Sequence, residues 1–184
     1  MGRRLKQAAQ VVALLLVAGL FALLGWKVTH QGGGQQLLDK AAKGAKPLAP
    51  DFRLARLDGD GHLDLRTLRH KVVVLNFWAS WCDPCKREMP QLERAYRAYR
   101  DRGVVFVGVD AQDFKSSARA QVKKFGTSYP VLYDGSGSVL DRYGGMGLPK
   151  TFLIDRRGRV LDVHLGALQS ADIDGLLNTA LKPA

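Results

Sequence analysis

The segment Val72-Val73-Val74-Leu75-Asn76-Phe77-Trp78 is apolar at every position but Asn76, and a run of that kind leaves a chain few folds to choose from. A strand with one wet face alternates apolar and polar residues, so a strand apolar on both sides must be covered on both, as in the centre of an α/β sandwich. Just after this run Met89, Leu92, Tyr96 and Tyr99 recur at helical spacing, with Arg and Glu between them, as far as Gly103. The pattern predicts a buried strand feeding an amphipathic helix, with Pro90 inside the helix expected to bend it.

The rest of the chain continues that alternation. Phe52, Leu54 and Leu57, the turn Asp58-Gly59-Asp60-Gly61, then Leu63 and Leu65 predict a β-hairpin leading to a short helix around Thr67–His70. The Asp-Gly-Asp-Gly stretch lacks the ligand series and terminal glutamate of a calcium loop, and reads as a turn. Val104–Asp110 reads as a second buried strand, Ser116–Phe125 as a helix, Tyr129–Asp134 as a strand, and Val139–Tyr143 as a helix of one or two turns. Thr151–Ile154 and Val160–His164 read as a hairpin around the Arg156–Arg159 turn, and Ser170 as the N-cap of a last helix, Ala171–Leu181. This order calls for an α/β sandwich with a mixed sheet. No internal repeat is visible.

Residues 1–26 have a different texture. A short basic segment, Met-Gly-Arg-Arg-Leu-Lys, precedes a stretch from Gln7 to Trp26 without a charge. As a helix those residues extend ~30 Å, about the thickness of a bilayer core. Signal peptidase wants small residues after the apolar run, where this chain has Leu23-Leu24-Gly25-Trp26-Lys27, so an uncleaved signal anchor is the reading and a cleaved signal peptide the alternative. Residues 27–48, with Gly32-Gly33-Gly34 and a Gln/Lys/Ala-rich stretch, read as a flexible tether, and 49–184 as the folded domain. The domain is then placed on the extracytoplasmic, periplasmic side of the cytoplasmic (inner) membrane, held by a single pass. The net charge of +11 fits this division. Residues 1–46 carry seven Lys/Arg against the single acid Asp39, so over half the excess belongs to the anchor and tether. No basic cluster interleaved with aromatics remains to bind nucleic acid, and the Arg156, Arg157, Arg159 group reads as a solvated turn.

The chain has two cysteines, Cys82 and Cys85. They lie in Trp81-Cys82-Asp83-Pro84-Cys85, between the buried strand and the amphipathic helix. There Cys82 faces the unpaired amides and positive end of a helix, which stabilise a thiolate, and Cys85 stands one turn along, placed to resolve a mixed disulfide. Pro84 suits the first turn, where no amide is needed. Asp83 opposes the thiolate and moderates its acidity. A structural bridge across two residues would close a tiny loop and gain little. A metal site would have to draw on His30, His62, His70 and His164, which are scattered.

The stretch from Val72 to Pro90, VVVLNFWASWCDPCKREMP running on from Lys71, resembles the thioredoxin-like proteins of the TlpA/ResA/CcmG group, membrane-tethered thiol:disulfide oxidoreductases of bacteria. So do Ala49-Pro50-Asp51-Phe52, Val107-Gly108-Val109-Asp110 and the segment Gly147-Leu148-Pro149-Lys150-Thr151-Phe152. The resemblance covers about Ala49 to Gly166. It implies a thioredoxin-like fold, a mixed central sheet flanked by helices, with an N-terminal β-hairpin extension, an inserted βα element around Ser116–Phe125, and an N-terminal transmembrane helix. It implies an exposed nucleophile at Cys82, a buried resolving thiol at Cys85, a cis-proline at Pro149 beside the sulfurs, and a backbone at Leu148 offered to an extended substrate strand. Trp78 and Trp81 would shape the surface around Cys82.

Where thioredoxin has a buried aspartate this chain has Asn76, which cannot take a proton from Cys85. In the group this sequence resembles, a glutamate three residues past the second cysteine is the candidate acid/base; Glu88 stands at that position, on the helix face it shares with Cys85, with a solvated glutamate paired to a neighbouring Arg as the alternative reading and Asp113 as a weaker candidate. The resemblance implies no cofactor. It implies a protein-disulfide reductase acting on exported proteins, apocytochrome c among them in cytochrome c maturation, supplied by a membrane thiol-electron donor of the DsbD/CcdA type. A disulfide oxidase and a copper-binding metallochaperone are the alternative readings. Peroxiredoxins place Pro-x-x-x-Thr-x-x-Cys before their reactive sulfur, where Leu75 and Ala79 stand here, and Sco-type copper chaperones space their cysteines one residue wider.

Overall fold

The computed structural model describes residues 2–30, 33–145 and 147–181. They divide into two compact units, the chain passing from the first to the second between Gly33 and Gly34. The first is a single helix, α1 (Gly2–His30), whose apolar side chains from Val12 to Trp26 are exposed. Among the described residues no helix is long and apolar enough to cross a membrane, so the anchor remains an expectation from the sequence.

The second unit is built on a sheet of seven strands: β1 (Arg53–Arg56), β2 (His62–Asp64), β3 (Val72–Trp78), β4 (Val104–Ala111), β5 (Val131–Asp134), β6 (Lys150–Ile154) and β7 (Val160–Leu165). They lie in the order β2-β1-β5-β4-β3-β6-β7. The pairs β3·β4 and β4·β5 are parallel, and β1·β2, β1·β5, β3·β6 and β6·β7 antiparallel. The helices are α2 (Gly33–Ala42), α3 (Asp83–Tyr99), α4 (Lys115–Phe125), α5 (Ser138–Arg142) and α6 (Ser170–Leu181). The thioredoxin-like α/β architecture expected from the sequence is present: a mixed sheet with helices on both faces.

Strand alternation sorts the core into two layers. On β3 the residues Val72, Val74 and Trp78 join Phe106 of β4, Cys85, Met89 and Leu92 of α3, and Ile173 and Leu177 of α6. Val73, Leu75 and Phe77 point the other way, with Val107 and Val109 of β4, Leu140 of α5 and Leu37 of α2. All seven residues of β3 are buried, which is why the run has no polar alternation. α3 continues through Pro90 to Tyr99 rather than ending there.

The tether expected over residues 27–48 differs in the structure. Gln31 and Gly32 lie outside the described residues, and residues 33–42 form α2, packed on the domain. Leu37 enters the second core layer, and Leu38 and Ala41 pack against it. Gly34 lies against the backbone of Asp141 and Gly144 so closely that any Cβ would collide with both. A glycine read from composition as flexibility is here a close-approach residue.

Candidate active site

The C-terminal ends of parallel strands, where helix N-termini gather, are the usual place for a site in an α/β sheet. Here β3 ends at Trp78, a turn follows, and α3 starts at Asp83. Cys82 occupies the N-cap in extended conformation, and its Sγ accepts the backbone N–H of Cys85 at 3.2 Å. Pro84 falls in the first turn, where it removes no needed donor. The two sulfurs are joined, with Cα atoms 5.3 Å apart. Cys85 is fully buried and Cys82 only 4% exposed. The expectation of an open Cys82 is thus not met in the disulfide form, because its sulfur turns inward over the helix start into the first core layer.

Around this turn the surface is built by two loops. Trp81 is 58% exposed, and its indole Nε1–H donates to the carbonyl of Gln112 at 3.1 Å. Asp113 accepts the N–H of Ser80 on Oδ2 at 2.6 Å and that of Phe114 on Oδ1 at 2.7 Å. The β4–α4 loop is therefore stitched to the turn that carries Cys82. Trp78 is not on this surface: it is buried, and its Nε1–H has no partner among the described residues. The Leu148–Pro149 peptide is cis, with Leu148 half-buried and Pro149 buried at the start of β6.

Beneath the cysteines lies a polar chain. Glu88, one turn beyond Cys85 on α3, is 1% exposed. Its Oε1 accepts from Asn76 Nδ2 at 2.8 Å and its Oε2 from the Leu168 N–H at 3.0 Å; Asn76 also donates to Thr151 Oγ1 at 2.9 Å. Burial pushes the Glu88 carboxyl up to about 7, with the N–H donors of Leu168 and Asn76 pulling the other way. A carboxyl that titrates there can hold or release a proton at neutral pH. The partners Thr151 and Leu168 were invisible in the sequence, since nothing local marks a residue 63 or 80 positions away in sequence from Glu88.

A second acid was read only as the end of a strand. Asp110, on β4, sits opposite Trp78 in the parallel register and is fully buried, and among the described residues no N–H or hydroxyl reaches either oxygen. Burial, then the neighbouring Asp113 carboxyl, then Asp134 push it up to about 8. The signal available in sequence was an ionisable residue closing a run, Val104–Val109, that is otherwise apolar and glycine.

Comparison with known proteins agrees with this geometry. The AhpC/TSA family model matches residues 46–163. A protein of Geobacillus thermodenitrificans named thiol-disulfide oxidoreductase ResA is 35% identical over 97% of this chain and 99% of its own length. A protein of the same name from Bacillus subtilis is 36% identical over 73% of this chain and 74% of its own length. Among solved structures, a thiol:disulfide interchange protein DsbE from Chlorobium tepidum superposes with a TM-score of 0.68 at 31% identity, covering 74% of this chain and 96% of that one. With a redox pair at a helix N-cap, a thioredoxin-like sheet and these relatives, the chain belongs to the AhpC/TSA family and is a thiol-disulfide oxidoreductase of the ResA/DsbE type.

Proposed function

We propose that the protein works as a reductase of disulfides in exported proteins. The observation that carries the direction is the charge around Cys82. A dithiol is strongly oxidising when its reduced form is stabilised as a thiolate. Here Asp83 directly follows Cys82, and the Lys86 ammonium, 2.7 Å from its carboxylate, holds it below the usual carboxylate range. The Lys86 charge is thereby taken up by Asp83 rather than offered to the sulfur, so this pair adds little to thiolate stabilisation at Cys82. Cys85 emerges into an apolar layer above Glu88, a place where a thiolate is opposed.

In the forward reaction the Cys82 thiolate attacks a substrate disulfide, forming a Cys82–substrate mixed disulfide and releasing one substrate thiolate. Cys85 gives its proton to the Glu88 carboxylate and attacks Cys82 Sγ. That forms the Cys82–Cys85 bond and releases the second substrate thiolate, which takes up a proton. Two electrons pass to the substrate, and a membrane thiol-electron donor of the DsbD/CcdA type restores them. Trp81 and the cis Leu148–Pro149 segment flank the sulfurs, placed to receive an extended strand. Apocytochrome c, whose haem-attachment cysteines must stay reduced, is the substrate this reading assigns, on the resemblance of the sequence to the TlpA/ResA/CcmG group.

The membrane anchor is part of this reading. It is supported by the uncharged stretch Gln7–Trp26 and by the exposed Leu14, Leu16 and Phe21 of α1, apolar side chains that need a cover other than water. The direction of exchange is tested by equilibrating the full-length chain with glutathione and dithiothreitol buffers. A reductase gives a potential near ~−270 mV, and a value near ~−120 mV overturns the reading. Trapping on a Cys85→Ser variant tests the substrate: haem-attachment proteins should be recovered as mixed disulfides, and their absence refutes that assignment.

A further inference from the structure

Asp110 is a buried acid that the exchange mechanism above does not use. Gly108 and Asp110 pair with Asn76 and Trp78 across β3·β4, so Asp110 lies on the α3 side of the sheet, at the level where β3 gives way to the Cys82 turn. Among the described residues its carboxyl meets no N–H and no hydroxyl. The group it does meet is the carboxyl of Asp113, in the loop that follows. Two carboxyls bond to one another only when one of them is protonated. Both oxygens of Asp113 already accept backbone N–H bonds, from Ser80 and Phe114, whereas neither oxygen of Asp110 accepts one. The proton between them therefore belongs on Asp110.

What this bond holds is the turn itself. Asp113 is the acceptor for the Ser80 N–H, and the adjoining Gln112 carbonyl is the acceptor for the Trp81 indole. Gln112 has a left-handed φ of 54°, a conformation a non-glycine residue adopts only when its surroundings hold it there. We propose that Asp110 and Asp113 share one proton, and that this proton locks the 111–114 loop onto the turn carrying Cys82, making Asp110 a positioning residue for disulfide exchange. When the proton leaves, two negative carboxylates face each other in a buried site, the loop draws away, and the Ser80 and Trp81 bonds that screen Cys82 go with it.

The ionisable groups facing Asp110 can be named. Asp113 and Asp134, at the end of β5, both favour the protonated form. From α4 the Lys115 ammonium lies over the ring of Tyr133, the register partner of Asp110 on β5, and the Tyr133 hydroxyl donates a hydrogen bond to the Asp113 carbonyl. From α3, among the described residues, no charged side chain acts on Asp110: Asp83 and Lys86 pair with each other, and the two cysteines are joined. The proton released on alkalinisation is thus Asp110's own, and burial together with the Asp113 charge raises it to about 8.

The role rests on Cys82 being the exchanging cysteine, so the test is read on the disulfide form, where no exchange occurs, while a Cys82→Ser variant tests exchange separately. In the full-length chain in mild detergent, the Asp110 carboxyl carbon, the Ser80 amide and the Trp81 indole N–H are followed by NMR from pH 5 to 10. All three should move with one midpoint near 8, and reduction of the disulfide by a phosphine should quicken several-fold across the same range. Asp110→Asn keeps a donor toward Asp113 and should hold both N–H signals at their acidic positions throughout, with a flat phosphine rate. Glu88→Gln should leave the transition in place. A Ser80 amide that ignores the Asp110 titration in the unmodified chain overturns the proposal, and that measurement stands even if Asp110→Asn fails to fold. A transition retained in a folded Asp110→Asn variant overturns it equally.

Discussion

Replacing Glu88 by glutamine should flatten part of the pH dependence of stability, by an amount that follows from its site. The Glu88 carboxyl ionises near 4.5 in an unfolded chain and is pushed up to about 7 when burial removes it from water. The folded chain therefore holds this proton more tightly than the unfolded one. Below about pH 4.5 both states are protonated and the group contributes its full stabilisation. As pH rises toward 7 the unfolded chain gives up its proton first, and stability falls. Above 7 both are ionised and the loss is complete. A span of about 2.5 pH units at ~1.4 kcal/mol each amounts to about 3 kcal/mol.

Glutamine has no such proton, so in Glu88→Gln this slope disappears. Its carbonyl can still accept from Asn76, but its amide would face the Leu168 N–H donor to donor, a mismatch costing about 1–3 kcal/mol at every pH. The variant should thus be the less stable protein at pH 4.5 and close to, or above, the parent at pH 8. The assay is urea unfolding of the disulfide form of the full-length chain in mild detergent, at half-unit steps between pH 4.5 and 8. Taking the difference between the two proteins cancels the contributions of Asp110 and other acids. Parallel stability curves would refute the assignment of a raised, burial-driven titration to Glu88.

Other substitutions test the surroundings. Asn76→Asp replaces the donor to Glu88 and Thr151 by a carboxylate, so the Glu88 midpoint should move further up, and a pH profile of exchange unchanged from the parent would count against contact between the two. Gly108→Ala would bring a methyl 3.1 Å from Trp78 Nε1 and 3.2 Å from a Tyr129 ring carbon, and should lower unfolding stability by about 1–3 kcal/mol. Gly34→Ala would drive a methyl into the backbone of Asp141 and Gly144, which cannot yield, so α2 should lift off and trypsin should cut at Lys40. Exchange activity should persist in that variant, since α2 packs on the face of the sheet opposite the cysteines.

The parts of this protein legible in its sequence are those with a short period or a local signature. The unbroken apolar run of β3, the helical spacing after Cys85 and the Cys-x-x-Cys pair at their junction placed the sheet centre and both sulfurs, because burial on two faces and helix capping act over a few residues. Glu88 was legible as a face-sharing neighbour of Cys85, but the groups that fix its site were not: Leu168 reaches it, and Thr151 reaches its partner Asn76, only through tertiary packing. α2 was misread because Gly33-Gly34 and a Gln/Lys/Ala composition look like a linker. The docking signal was subtler, Leu37, Leu38 and Ala41 on one side of a short helix. Asp110 was passed over for a different reason: a charge closing a strand ordinarily marks the return to solvent, and here the strand end is roofed by the Cys82 turn.

That roof gives the two buried acids different relations to the two sulfurs. Reducing a disulfide to two thiols takes up two protons along with two electrons, so a site that exchanges near neutral pH gains from proton-holding groups close at hand. Alternation along β3 and β4 directs Asn76 and Asp110 to the side of the sheet that α3 covers. Asn76, deeper in the strand, meets Glu88 on the turn of α3 below Cys85; Asp110, at the strand end, meets the loop tied to the turn above Cys82. Glu88 lies one helical turn beyond the buried sulfur, and the proposed mechanism has it take the Cys85 proton. Asp110 touches the other sulfur only through Asp113 and Ser80. Removing Glu88 should therefore change the chemistry of resolution at every pH where the carboxylate exists, whereas removing the Asp110 proton should change access to Cys82 and leave the resolving step alone.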